Sequence, residues 1–80
     1  MKENTLAIRT ILIDNFQVNN FDWETPLAVL QPKFRLLAYL IEFQALLSTA
    51  LEQDIILVGN VNTLEHTPND VVKIIHNNKH

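Results

Sequence analysis

Pro32 to Glu52, PKFRLLAYLIEFQALLSTALE, lies in the longest run without glycine or an internal proline, and is the densest stretch in apolar residues. Projected at about 100° per residue, Leu36, Tyr39, Leu40, Phe43, Leu46, Leu47 and Leu51 fall on one broad arc. Phe34, Leu37 and Ile41 carry that arc past half the circumference. Arg35, Glu42, Thr49 and Glu52, with Ala38 and Ala45 between them, form a narrow polar strip. A helix with so little polar face is either central to a small domain or covered by a partner. The pattern predicts one central helix with Pro32 at its first position, and the rest of the chain folded against it.

Eighty residues make a single domain spanning 1–80, with a core over about 5–76 and a polar tail at 77–80. At 48% hydrophobic residues, the chain has enough apolar side chain for a core. One glycine and three prolines leave few sites for tight hairpins and favour helices joined by short linkers. The expected class is all-α. With no cysteine there is no disulfide, thiolate metal site or cysteine nucleophile. A net charge of −3, with Lys2, Arg9, Lys33, Arg35, Lys73 and Lys79 scattered, argues against nucleic acid, which requires a basic stripe. No apolar run reaches the ~18 residues of a membrane span, and no hydrophobic block follows basic residues at the start. The expectation is a soluble, cytoplasmic protein with no membrane partner.

Leu6 to Phe16 places Ile8, Ile11, Leu12 and Phe16 on one helical face, with Asn4 or Thr5 available as its cap. Thr25-Pro26 is a helix-start signature, yet Pro32 stops whatever begins there, so Pro26 to Leu30 makes one turn at most. Phe21 and Trp23 either pack this loop onto the core or anchor a partner. Ile55 to Val58 reads as a buried extended connector, Gly59-Asn60 as a turn, and Val61 to Leu64 as a short helical turn. Thr67-Pro68-Asn69-Asp70 announces the last helix, with a capping hydroxyl, a first-position proline and an acid near the positive end of the dipole. Val71, Val72, Ile74 and Ile75 give it an apolar side ending near His76.

This order of elements resembles the acyl carrier protein family, small helical bundles that carry acyl groups on phosphopantetheine. Thr25-Pro26-Leu27-Ala28-Val29-Leu30 looks like the TPL-x-x-L segment ahead of the family's second helix. Phe43 to Ile55, FQALLSTALEQDI, is similar to the second half of that helix and the loop leaving it. Thr67 to Ile75 looks like the final helix. The resemblance implies an acyl-carrier-like bundle of three main helices plus one short helix over roughly residues 5 to 76. In that family an Asp-Ser-Leu motif begins the second helix, and its serine takes the arm. Here the region reads Gln31-Pro32-Lys33-Phe34-Arg35-Leu36-Leu37. Aligned from Leu30 the serine position is Phe34; aligned back from Leu51 it is Leu37. Neither side chain has a hydroxyl to esterify. The resemblance also implies acids on that helix for basic partner enzymes, whereas Lys33 and Arg35 stand at its start and the acids are limited to Glu42 and Glu52.

The expected function is therefore a degenerate carrier-like module with no catalysis and no cofactor. It would dock beside an enzyme of acyl, fatty-acid or polyketide-type metabolism through Phe34, Arg35, Ala38, Ile41 and Glu42, as a monomer or weak homodimer. One alternative is a working carrier loaded with 4′-phosphopantetheine at Ser48, the only serine in the chain. Another is a small helical oligomerisation module. Phe34, Leu37 and Ile41 either finish the core or form an exposed apolar patch. His66, His76 and His80 have poor metal-ligand spacing, so no metal site is expected. Asp14, Asp22, Glu24, Asp54, Glu65 and Asp70 sit where caps and loops want carboxylates, with no nucleophile to pair with them.

Overall fold

The computed structural model describes residues 2–77, and among these there are helices and turns but no strands. The order is α1 (Lys2–Asp14), α2 (Leu27–Leu30), a 3-10 turn (Pro32–Arg35), α3 (Leu37–Leu51) and α4 (Pro68–Asn77). The expected all-α class is what the chain adopts, and the single turn expected over Pro26 to Leu30 is α2. The tail expected at 77–80 divides: Asn77 closes α4, and 78–80 lie outside the described residues.

α1 begins ahead of the expected start, so Asn4 and Thr5 lie within the helix and not at its first boundary. The reason is periodic. Asn4 is one turn before Ile8 and on the same face as Ile11 and Leu12, and the buried face extends back to it. The Nδ2 of Asn4 finds no acceptor. α1 and α3 run antiparallel, bringing Glu3 and Leu6 beside Leu51 and Glu52 at one end and Phe16 to Phe34 and Phe43 at the other. Phe16, Phe34 and Phe43 form an aromatic trio with centroids 4.8, 5.7 and 5.5 Å apart, inside the 4.5–7 Å range of attractive ring pairs. Ile8, Leu12, Leu40, Leu47, Val71 and Ile75 continue this core. Phe21 and Trp23, edge to face at 4.8 Å, pack against it.

The expected unbroken helix from Pro32 is interrupted at Leu36, whose φ of −93° and ψ of 130° are extended. In a continuous helix the Phe34 carbonyl would accept from the N–H four residues on. Instead Thr63 Oγ1 donates to it at 2.6 Å. Gln31 fixes the other end of the 3-10 turn, its Nε2 donating to the Phe16 carbonyl at 2.6 Å and its Oε1 accepting from the Lys33 N–H at 3.4 Å. The turn is thus tied to α1 on one side and to the 63–66 loop on the other. α2 is tied to the same loop, since the Leu27 and Ala28 N–H groups donate to the His66 and Thr63 carbonyls.

α3 ends in a left-handed residue, Glu52, at φ 51°. Gln53 N–H donates to the Ser48 carbonyl at 3.2 Å and Glu52 N–H to that of Thr49 at 3.4 Å, which closes the last turn as a Schellman motif. The chain from Gln53 to Thr67 contains no helix. Two α3 side chains one turn apart hold it in place. Ser48 Oγ accepts from the Ile55 N–H at 3.1 Å and donates to its carbonyl at 3.3 Å, while Gln44 Oε1 accepts from the Leu57 and Val58 N–H groups at 2.6 and 3.0 Å. The expected helical turn at Val61–Leu64 is a single turn set one residue later, in which the Glu65 and His66 N–H groups reach the Asn62 carbonyl. The Asn62 side chain caps this turn by accepting from the Leu64 N–H at 3.0 Å, and Pro68 starts the next element.

α4 opens as its sequence announces. Thr67 Oγ1 accepts from the Asp70 N–H at 3.2 Å, and Asp70 Oδ2 accepts from the Thr67 N–H at 2.9 Å. That reciprocal pair is a capping box with Asp in place of Glu or Gln. It holds the Asp70 carboxyl below its ordinary value, chiefly through the Thr67 N–H, with smaller contributions from the Thr67 hydroxyl, His66 and Lys73.

Candidate functional site

The five residues expected to meet a partner are divided by the fold. Phe34 is a correction: it is 1% exposed, in the aromatic trio, because the 3-10 turn swings it away from the α3 surface and into the core. Arg35, Ala38, Ile41 and Glu42 are exposed on or beside α3. The same division settles the apolar surplus of the central segment. Leu37 and Ile41 remain outside, at 59% and 47% exposure, and Leu36 joins them at 59%.

The geometry follows from how much of α3 the connector covers. Ser48 and Gln44 bind residues 55–58, shielding one flank of the C-terminal half of the helix. Further toward the N-terminus that flank carries Leu37 and Ile41, and there the connector leaves them exposed. Ala38 and Ala45 lie next to them, so a strip of four apolar side chains runs along two turns with no charge within it. Arg35 stands at one end, where it also borders a shallow hollow with Asn62, Thr63 and Leu64, and Glu42 lies along one edge. Lys33 Nζ sits 5.7 Å from the Tyr39 ring centroid, within cation–π reach.

Ser48, the fallback attachment point, spends its hydroxyl on both backbone groups of Ile55 and is half-buried there. Leu37, one of the two positions aligned with the family's serine, is the exposed first residue of α3. Besides Asp70 in its capping box, three of the candidate acids have local duties. Asp22 accepts from the Thr25 hydroxyl at 2.6 Å, Glu24 from Asn69 Nδ2 at 2.8 Å, and Glu65 from Asn62 Nδ2 at 3.2 Å. His66 Nδ1 accepts from the Asn62 N–H at 2.8 Å. Among the described residues no three His, Asp or Glu side chains gather as metal ligands would; His80 lies outside them. Nor is any helix among them long and apolar enough to cross a membrane.

Sequence reasoning missed a second surface. Between the start of α1 and the end of α3 lies an open cleft of about 460 Å³. Leu6, Ala7 and Ile11 line one wall and Ala50 and Leu51 the other, with Glu3 and Glu52 among the bordering residues. The available signal was Leu6, an apolar residue about 160° around α1 from Ile8 and therefore off the core face.

Comparison with known proteins gives no family. No family model, curated protein or solved structure matches the chain.

Proposed function

We propose that the chain is a cytoplasmic, non-catalytic docking module: an acyl-carrier-like scaffold without a phosphopantetheine arm that works by contact with an enzyme of acyl or polyketide-type metabolism. The observation that carries this reading is the uncharged strip of Leu37, Ala38, Ile41 and Ala45 left outside the core of so small a domain. Arg35 and Glu42 at its margins provide opposite charges that would fix the register of a partner. The absence of an arm is supported by the hydrocarbon at both aligned serine positions, Phe34 and Leu37, and by the prior engagement of the Ser48 hydroxyl.

The test has two parts. Incubation with a phosphopantetheinyl transferase and coenzyme A leaves the intact mass unchanged; a gain of one arm overturns the reading. A photoreactive cross-linking residue at Ala38, introduced in the producing cell, then yields a discrete adduct with an acyl-metabolism enzyme. Ile41→Glu abolishes that adduct while the variant stays folded, since a charge at a half-exposed position remains hydrated. An adduct indifferent to Ile41→Glu removes α3 as the docking surface.

A further inference from the structure

The two ends of α3 carry charge of the wrong sign for the helix itself. A helix dipole favours acids at its N-terminus and bases at its C-terminus. α3 has no acid in its first turn and no base in its last. Lys33 and Arg35 precede its positive end, and Glu52 caps its negative end. The fixed charges therefore add to the dipole instead of opposing it. Each end also exposes apolar surface: Leu36 and Leu37 project beside Lys33 and Arg35, while Glu52 and Glu3 border the apolar cleft containing Leu6, which is 65% exposed. One end is a basic knob with two leucines; the other is an acidic-edged slot with an apolar floor. Glu42 lies more than a turn further along α3, at the edge of the strip and away from the knob.

We propose that this cleft receives the Lys33–Leu37 corner of a second copy of the same chain, giving head-to-tail self-association. The charge and dipole arrangement that is unfavourable within one molecule becomes favourable between two, with the positive end of one α3 directed at the negative end of the next. A volume of about 460 Å³ falls in the range of pockets that accept small organic groups, enough for the leucine side chains of the knob. The surfaces differ and lie at opposite ends of a 15-residue helix, about 22 Å long, in a molecule whose longest extent is 32 Å. Such a contact is heterologous and does not close on itself as a twofold dimer does, so it propagates into chains or rings. This goes beyond the docking reading: it assigns a second surface and a partner for it, and it is tested on purified protein with no enzyme present.

The experiment is sedimentation velocity on the full chain, over about a hundredfold range of concentration and at low and high salt. The wild type shows a mean mass that rises with concentration past that of a dimer, and falls back in high salt. Leu37→Glu blocks the knob and Leu6→Glu the slot; both positions are exposed, so both variants keep the wild-type circular dichroism. Each variant alone is monomeric. An equal mixture forms a dimer and nothing larger, because only one free knob and one free slot remain per pair. A wild type monomeric throughout overturns the proposal, and so does a dimer that mixing the two blocked variants fails to restore. Neither result touches the cross-link at Ala38, so the two readings fail separately.

Discussion

Replacing Gln44 with Ala removes a single acceptor oxygen that serves two backbone donors, the N–H groups of Leu57 at 2.6 Å and Val58 at 3.0 Å. Both donors are in the connector, which has no hydrogen-bond ladder of its own. An unsatisfied buried N–H costs about 1–3 kcal/mol; Leu57 is buried, but Gln44 and Val58 are half-buried, and water entering where the Gln44 amide stood relieves part of that, so the lower figure applies to each. Two donors at about 1 kcal/mol each, with a little packing lost from the Gln44 stem, give about 2–3 kcal/mol. A domain of this size holds on the order of 4–12 kcal/mol in all. The loss lowers the melting temperature by about 10–20 °C. Urea denaturation measures the global change, and amide exchange at Leu57 and Val58 measures the local one. Both rates rise further than those of Phe43 or Leu47 in the core. Gln44→Glu is the informative control, because a carboxylate keeps the acceptor and strengthens it by its charge. That variant stays within about 1 kcal/mol of the wild type. Should Gln44→Ala change stability by less than about 0.5 kcal/mol and leave both amides protected, the connector is not held by this side chain.

Thr63→Val keeps the shape of a buried residue but removes the hydroxyl donated to the Phe34 carbonyl at 2.6 Å, so chemical denaturation shows a loss of about 1–3 kcal/mol. Asp70 gives a pH dependence of definite sign. Its folded pKa is below the ordinary value, so its contribution is complete above about pH 4 and is lost as the pH falls through the folded value. Asp70→Asn is accordingly less stable than the wild type near neutrality, and the gap narrows as acid is added. Urea midpoints between about pH 6 and pH 2 read this directly; a gap that widens toward acid refutes the assignment.

What could be read from the sequence was what neighbouring residues decide among themselves. The capping box of α4 uses Thr67 and Asp70, three apart, and α2 is confined between Pro26 and Pro32. The break at Leu36 was illegible because the hydroxyl that captures the Phe34 carbonyl belongs to Thr63, 29 residues away. Helical periodicity from Pro32 to Leu51 is intact, yet one tertiary hydrogen bond and one buried ring override it. On a helix Gln44 and Ser48 fall on a line with Leu37 and Ile41. That the connector would cover the first pair and stop short of the second depends on where residues 55–58 lie, which their run of apolar side chains does not state. Asn4 misled for a simpler reason: a residue typical of caps proved to be buried on the α1 core face. Of the five residues expected to meet a partner, Arg35, Ala38, Ile41 and Glu42 are exposed and Phe34 is buried. The cleft went unread because its two walls are about forty residues apart in the chain.

Glu52 concentrates two opposing demands in one residue. Its backbone occupies a conformation in which a side chain is a burden and glycine sits freely, so Glu52→Gly would make a sturdier monomer. The same exchange would strip a carboxylate from the slot and weaken any polymer built through it. Thermal tolerance and the proposed assembly thus trade against each other at a single codon, and a protein engineer selecting only for heat resistance would weaken the head-to-tail contact without touching its apolar part.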